Sequence, residues 1–100
     1  MKPVDQTTFG APVGNCFSAC VASLLELPVE RVPYFMGADD WWDAFSAFLV
    51  TFGLYPVCFP VRPPKFEGWP PGFYIVSGNS PRGSHSVVAR AGKVEHDPHP

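Results

Sequence analysis

The chain has 100 residues, 46% of them hydrophobic, with seven Lys and Arg against nine Asp and Glu for a formal charge of -2. That length suits one domain over residues 1–100 with an adequate core, and the scattered cations exclude a basic nucleic-acid face. No run of about 18 apolar residues occurs, and Met1-Lys2-Pro3-Val4-Asp5 does not open a leader, so the expectation is a cytoplasmic protein with no membrane contact.

Three cysteines cannot all pair internally, which points to reduced thiols in an intracellular protein. Fifteen per cent aromatic residues and thirteen prolines suggest a ring-rich core with stiff connections.

Residues 1–13 read as an extended lead-in ending in a turn at Gly14. From Phe17 the apolar positions Phe17, Cys20, Val21, Leu24 and Leu25 follow helical spacing, with Asn15 as N-cap and Pro28 as terminator, predicting a helix over 15–27. Its small Ala19, Ala22 and Ser23 suit a helix that another element approaches closely. Residues 28–38 form a connection in which Val29, Val32, Tyr34 and Phe35 are expected to tuck inward. A second helix over 40–52 follows, with Asp39 and Asp40 offering an N-cap. Its stripe is Trp41, Phe45, Phe48, Leu49 and Phe52, and Gly53 stands just past its end. Helical spacing explains that aromatic stripe as core.

Beyond Gly53 the pattern alternates. Residues 54–61 read as a strand, placed at an edge by Pro56 and Pro60, with Cys58 facing the core. A proline-rich loop spans 62–71 and carries Phe66 and Trp69; Trp69 and the prolines around it offer one wall for a groove or else a packed surface loop. Residues 72–77 form the next strand, 78–83 a loop, and 84–89 with 93–97 a final hairpin.

The hairpin turn carries a register argument. A two-residue turn at Ala91-Gly92 needs positive φ at a residue with a Cβ, costing about 1 kcal/mol or more. A three-residue loop with Gly92 in the left-handed position avoids that. It pairs Ala89 with Lys93, Val87 with Glu95 and His85 with Asp97, and sets Val88 against Val94 as a core pair. Directly opposed Cβ atoms lie about 4.5–5.5 Å apart, so Asp97 would orient His85 as a base.

Cys16 stands at the start of the first helix, where unpaired N–H groups favour a thiolate. With His85 and Asp97 it makes a nucleophile, base and orienter, the parts of acyl transfer through a thioester. Backbone N–H groups at the helix start, assisted by the amide of Gln6, supply the oxyanion donors. Cys20, on the apolar stripe, reads as core. A zinc reading would use Cys16-x-x-x-Cys20 with His96-x-x-His99, but neither spacing matches a common zinc ribbon, so no metal and no cofactor is expected.

Gln6, then Gly14-Asn15-Cys16-x-x-Ala19-Cys20-x-Ala22-Ser23-Leu24-Leu25, then Gly83-x-His85-x-Val87-Val88, then His96-Asp97-Pro98 resembles the papain-like cysteine peptidases. The likeness is closest to the C39-like group and to small papain-like proteins of bacteria and their phages. It spans essentially the whole chain. The resemblance implies a minimal α+β papain-like domain: the helix bearing the cysteine packed on a small antiparallel sheet, with a second helix nearby.

It further implies Cys16 as nucleophile, His85 as base, Asp97 as orienter and Gln6 as oxyanion donor. Two positions depart from the pattern. Gln6 stands ten residues before Cys16 rather than about six, so its role needs a loop that doubles back, with Asn15 as the alternative donor. Phe17 also replaces the usual small residue after the cysteine.

The function expected is hydrolysis of a peptide, isopeptide or amide bond in a peptide or protein substrate. An inactive papain-like module that binds a protein partner is the alternative from another class. A third reading is an acyltransferase or deamidase using the same three residues.

Overall fold

A computed structural model of the chain describes residues 1–10, 14–58, 60, 71–80 and 83–100. The protein is a small mixed α+β structure with two helices and a three-stranded antiparallel sheet. Its residues group into two compact units, one of Met1–Tyr34 with Trp69–Pro100 and one of Phe35–Gly68. Among the described residues no helix is long and apolar enough to cross a membrane.

In the first unit, helix α1 spans Cys16–Leu25, two residues shorter at its C-terminal end than the periodicity suggests. Glu26 turns into the left-handed region at φ 58, and Leu27 N–H donates to Ala22 O at 2.9 Å. This closure satisfies carbonyls of the last turn that would otherwise be orphaned. Ala19, Cys20 and Ala22 are fully buried, and the helix packs on the sheet and on a 3-10 turn, Val29–Arg31. Small residues on the buried side let the helix backbone come near its neighbours.

The sheet is β1 (Phe73–Ser80), β2 (Gly83–Arg90) and β3 (Lys93–His96), in that spatial order. β1 and β2 pair from Phe73↔Arg90 to Ser80↔Gly83. The segment 78–83, read as a loop, therefore places Gly78, Asn79, Ser80 and Gly83 in the ladder. Turn-prone residues there are overridden by pairing with Ser84 and His85. Val88, at the centre of β2, is completely buried between Ile75 and His96.

The β2–β3 turn differs from expectation in an instructive way. Arg90 pairs with Lys93 and Ala89 with Val94, so the turn has two residues, and both Ala91 (φ 51) and Gly92 (φ 81) take positive φ. The expected pairs of Ala89 with Lys93, Val87 with Glu95, Val88 with Val94 and His85 with Asp97 do not form in the ladder, and Val94 is exposed. Gly92 N–H donates to the Tyr74 hydroxyl at 2.6 Å, which ties the turn to β1.

A two-residue turn alone would put His85 and Asp97 on opposite faces. The register then slips by one, because Val88 pairs with His96 and Glu95 becomes an extra, bulged residue. The slip restores parity, so residue 97 falls on the side of the sheet that carries His85 and Val87.

A lead-in seam closes this unit. Lys2 N–H donates to Ser23 O at 3.0 Å, and Gln6 N–H to Pro98 O at 2.9 Å. Between them, Val4 N–H donates to Ser23 Oγ at 2.9 Å, and Val4 O accepts from His96 Nε2 at 2.9 Å. Residues 1–6 thus join the helix to the last strand.

In the second unit, helix α2 spans Trp41–Val50. Phe45 and Leu49 are buried, and Phe35 meets Phe45 and Phe48 with ring centroids 5.3 and 5.8 Å apart. Asp40 holds the N-cap position without a side-chain capping bond, contrary to expectation. Gly53 (φ 73) follows the helix as expected, with Gly53 N–H on Val50 O and Leu54 N–H on Leu49 O at 3.0 and 3.1 Å. That is the paired closure a glycine at this position permits.

Phe52 and Tyr34, expected inside, are 45% and 46% exposed. No strand forms over residues 54–58, where Tyr55 and Val57 are exposed, and Cys58 is exposed rather than core. Pro56 supplies no ladder donor, and alternation without a pairing partner has nothing to bury. Phe59, Val61, Phe66 and the groove-wall candidate Trp69 lie outside the described residues.

Asparagine is favoured over alanine in a two-residue turn with positive φ. Ala91→Asn is therefore expected to stabilise the fold by about 0.5–1 kcal/mol and raise the melting midpoint by about 3–6 °C, read by calorimetry. An unchanged midpoint would show that Ala91 bears no strain.

Candidate active site

Cys16 opens α1 and is half-buried. Asn15 occupies the N-cap position but makes no side-chain cap bond, and the first turn carries no acidic residue. The positive end of the helix is thus not neutralised by a carboxylate of its own first turn. The sequence reading of Asn15 as a capping residue is corrected here. Its Oδ1 accepts from Thr7 N–H at 2.9 Å and Thr8 N–H at 3.1 Å, and its Nδ2 donates to Thr7 Oγ1 at 2.9 Å. The amide is committed to the lead-in loop.

That loop doubles back, as the long spacing from Gln6 to Cys16 requires. Asn15 N–H donates to Thr8 O at 3.2 Å, and Gly14 N–H donates to Gly10 O at 2.6 Å. A Cβ at Gly14 would lie 3.0 Å from Gly10 O and 3.1 Å from Gly10 N, so a side chain there would push the loop backbone apart by a few tenths of an ångström. Gln6 is buried, with Nε2 donating to Thr8 O at 3.0 Å. Its Oε1 is buried without a hydrogen-bond partner among the described residues.

The other half of the site comes from the hairpin. Asp97 Oδ1 accepts from His85 Nε2 at 2.7 Å and from His99 N–H at 2.9 Å. A carboxylate accepts only, so Nε2 carries the proton and Nδ1 is left as the basic nitrogen. The His85 side chain is 15% exposed and that of Asp97 43%. Pro98, fully buried beside it, anchors the turn that aims the carboxylate.

The structure therefore brings His85 and Asp97 together, and it brings Gln6 beside Asn15, next to Cys16 in sequence. The Cys16 thiol makes none of the hydrogen bonds seen among the described residues. The long spacing and missing small residue gave no sign of Thr7 and Thr8, whose bonds to Asn15 use backbone groups and the Thr7 hydroxyl.

Cys20, one turn beyond Cys16, has no exposure. Burial pushes its thiol far above the ordinary range, and the nearby Cys16 and Asp97 add in the same direction. It therefore stays a neutral core thiol near neutral pH. Among the described residues no three His, Cys, Asp or Glu gather to hold a metal ion. Of the four residues weighed for zinc, His96 is turned to Val4 O and to Asp5 Oδ1, 3.3 Å away, and His99 Nδ1 lies 3.0 Å from Pro100 O.

No protein-family model matches this chain, and neither a curated protein nor a solved structure matches it.

Two predictions follow from the buried groups. An unpartnered buried amide oxygen costs about 1–3 kcal/mol, so Gln6→Met is expected to leave stability to urea unchanged or improved. A loss above 2 kcal/mol would mean that the carboxamide holds the fold. For Cys20, the folded thiol keeps its proton while the unfolded one loses it above about pH 8.5. Stability is then fully present below that pH and falls as pH rises, by up to about 1.4 kcal/mol per unit. Cys20→Val should flatten this alkaline slope in urea titrations, and an identical slope would locate its cause elsewhere.

Proposed function

We propose that the chain is a papain-like thiol hydrolase that cleaves a peptide, isopeptide or amide bond by way of Cys16, His85 and Asp97. The observation that carries this reading is the 2.7 Å bond from His85 Nε2 to Asp97 Oδ1. It leaves Nδ1 as the acceptor on a strand packed against the helix that Cys16 opens. The uncapped start of α1 supports the same reading, since both a thiolate and a developing oxyanion gain from it.

In the proposed reaction His85 Nδ1 takes the Cys16 proton, and Sγ attacks the substrate carbonyl carbon. The resulting oxyanion is met by N–H groups at the start of α1 and by the Gln6 amide. As the C–N bond breaks, the imidazolium returns its proton to the leaving amine, and a thioester remains on Cys16. His85 then deprotonates a water, whose oxygen displaces Sγ; the acid leaves, and the thiol regains its proton. Asp97 fixes the imidazole tautomer and stabilises its charged form without itself taking a proton.

The test uses p-nitrophenyl acetate as an acylating probe. The wild-type protein is expected to release a stoichiometric burst of p-nitrophenol that Cys16→Ala abolishes. His85→Ala should slow acylation by about 10²–10⁴-fold, the usual worth of a positioned base. A burst that survives Cys16→Ala, or a rate indifferent to His85, overturns the reading. Such a result favours the partner-binding alternative on the same fold.

A further inference from the structure

The stretch between Gln6 and Cys16 is gathered by one side chain. Asn15 makes four hydrogen bonds back to Thr7 and Thr8: two accepted by Oδ1, one donated by Nδ2 and one donated by its backbone N–H. The last ends on Thr8 O, the same oxygen that accepts from Gln6 Nε2. One carbonyl oxygen therefore links the Gln6 carboxamide to the residue preceding the nucleophile.

We propose that Asn15 is a positioning residue for Gln6: by gripping Thr7 and Thr8 it holds the Gln6 carboxamide at the mouth of α1, ready for the oxyanion. This inference rests on the cysteine hydrolase reading above. The chemistry of the grip explains the residue type. Two backbone N–H groups need one acceptor, and the Thr7 hydroxyl is met by a donor. Asparagine supplies both from one short, neutral group.

An aspartate would add negative charge beside Cys16, and a serine would lack the second arm. The grip also explains why the helix start goes uncapped. Turning the Asn15 amide toward the loop forgoes about 1 kcal/mol of capping and leaves the helix N–H groups facing the thiol. At its other end Gln6 is held through its backbone N–H on Pro98 O at 2.9 Å, one residue from Asp97. The positions of the oxyanion donor and of the His85 orienter are thereby mechanically connected.

The test reads Gln6 directly. In ¹⁵N-labelled protein the Gln6 side-chain NH₂ pair is assigned by its disappearance in Gln6→Met. It is then followed in Asn15→Ala, Asn15→Asp and Thr7→Val, alongside acylation by p-nitrophenyl acetate. Asn15→Ala is expected to move the pair toward free-amide positions. It should also cut the maximal acylation rate by about tenfold or more, with half-saturation little changed, as loss of an oxyanion donor requires.

Asn15→Asp keeps the acceptors and should hold the pair near its wild-type position, while its charge moves the acylation pH profile upward. A Gln6 pair that stays in place in folded Asn15→Ala, or that moves equally in Asn15→Asp, overturns the proposal. Should Asn15→Ala fail to fold, Thr7→Val decides: a displaced pair supports the grip and an unmoved pair refutes it. A wild-type protein without any acylation burst counts against the hydrolase reading, and the Gln6 resonances still decide the grip.

Discussion

Everything in the candidate site depends on a seam of hydrogen bonds between the first six residues and the two ends of the unit they cross. Ser23, fully buried in α1, gives its Oγ to Ala19 O at 2.8 Å and accepts from Val4 N–H. On the far side His96 donates to Val4 O, and Pro98 O accepts from Gln6. Each bond is worth only about 1 kcal/mol net. Their arrangement matters more than their sum, because each satisfies a polar group that burial would otherwise penalise. The seam fixes α1 and the Asp97-Pro98 turn in one frame. A helix start and a hairpin end, 81 residues apart from Cys16 to Asp97 in the sequence, can then share a site.

The hairpin shows how a correct relation can arise from an incorrect turn. Avoiding positive φ at Ala91 was the physical reason for expecting a three-residue loop, and with it a shared face for His85 and Asp97. The chain instead accepts φ 51 at Ala91, ties Gly92 to Tyr74, and recovers the shared face through the bulge at Glu95. Parity is what both routes conserve. A period of two makes any odd slip flip every following side chain, so one extra residue undoes what the short turn did. Nothing local in Val94-Glu95-His96 announces a bulge, and this is why the sequence could suggest the facing without revealing its path.

Elements with their own internal pattern were legible, and those that need a distant partner were not. α1 was readable because Phe17, Cys20, Val21, Leu24 and Leu25 recur at helical spacing, and α2 because Phe45 and Leu49 lie on an aromatic stripe closed by Gly53. The segment 54–58 has strand-like alternation, yet it forms no ladder. Residues 78–80 carry turn residues, yet they sit in one. Strand identity belongs to the pair rather than to the segment. The residues proposed as nucleophile, base and orienter were likewise visible as residue types in order. The diversion of Asn15 from cap to loop was not, because the donors that compete for its side-chain oxygen are backbone N–H groups that every sequence possesses.

Local rules are broken at several places in the described chain: Glu26 and Ala91 take positive φ without being glycine, Asn15 and Asp40 stand at helix starts without a side-chain cap, and the Gln6 side-chain oxygen is buried without a partner. Ala91 takes a left-handed conformation at the far end of the hairpin, where the turn itself accounts for it. Two of these departures adjoin one another: the α1 N-cap whose side chain caps nothing, and the buried glutamine oxygen. Taken alone each is unfavourable by roughly 1 kcal/mol or more; the lost cap is offset by the bonds Asn15 makes to Thr7 and Thr8, and the Gln6 oxygen has no such offset. A chain free to optimise stability alone would replace Gln6 with a hydrocarbon. Under the proposed reading, keeping Gln6 and turning Asn15 to the loop leave unneutralised N–H groups and an oriented amide near Cys16, the kind of local cost that a site for the proposed chemistry would carry.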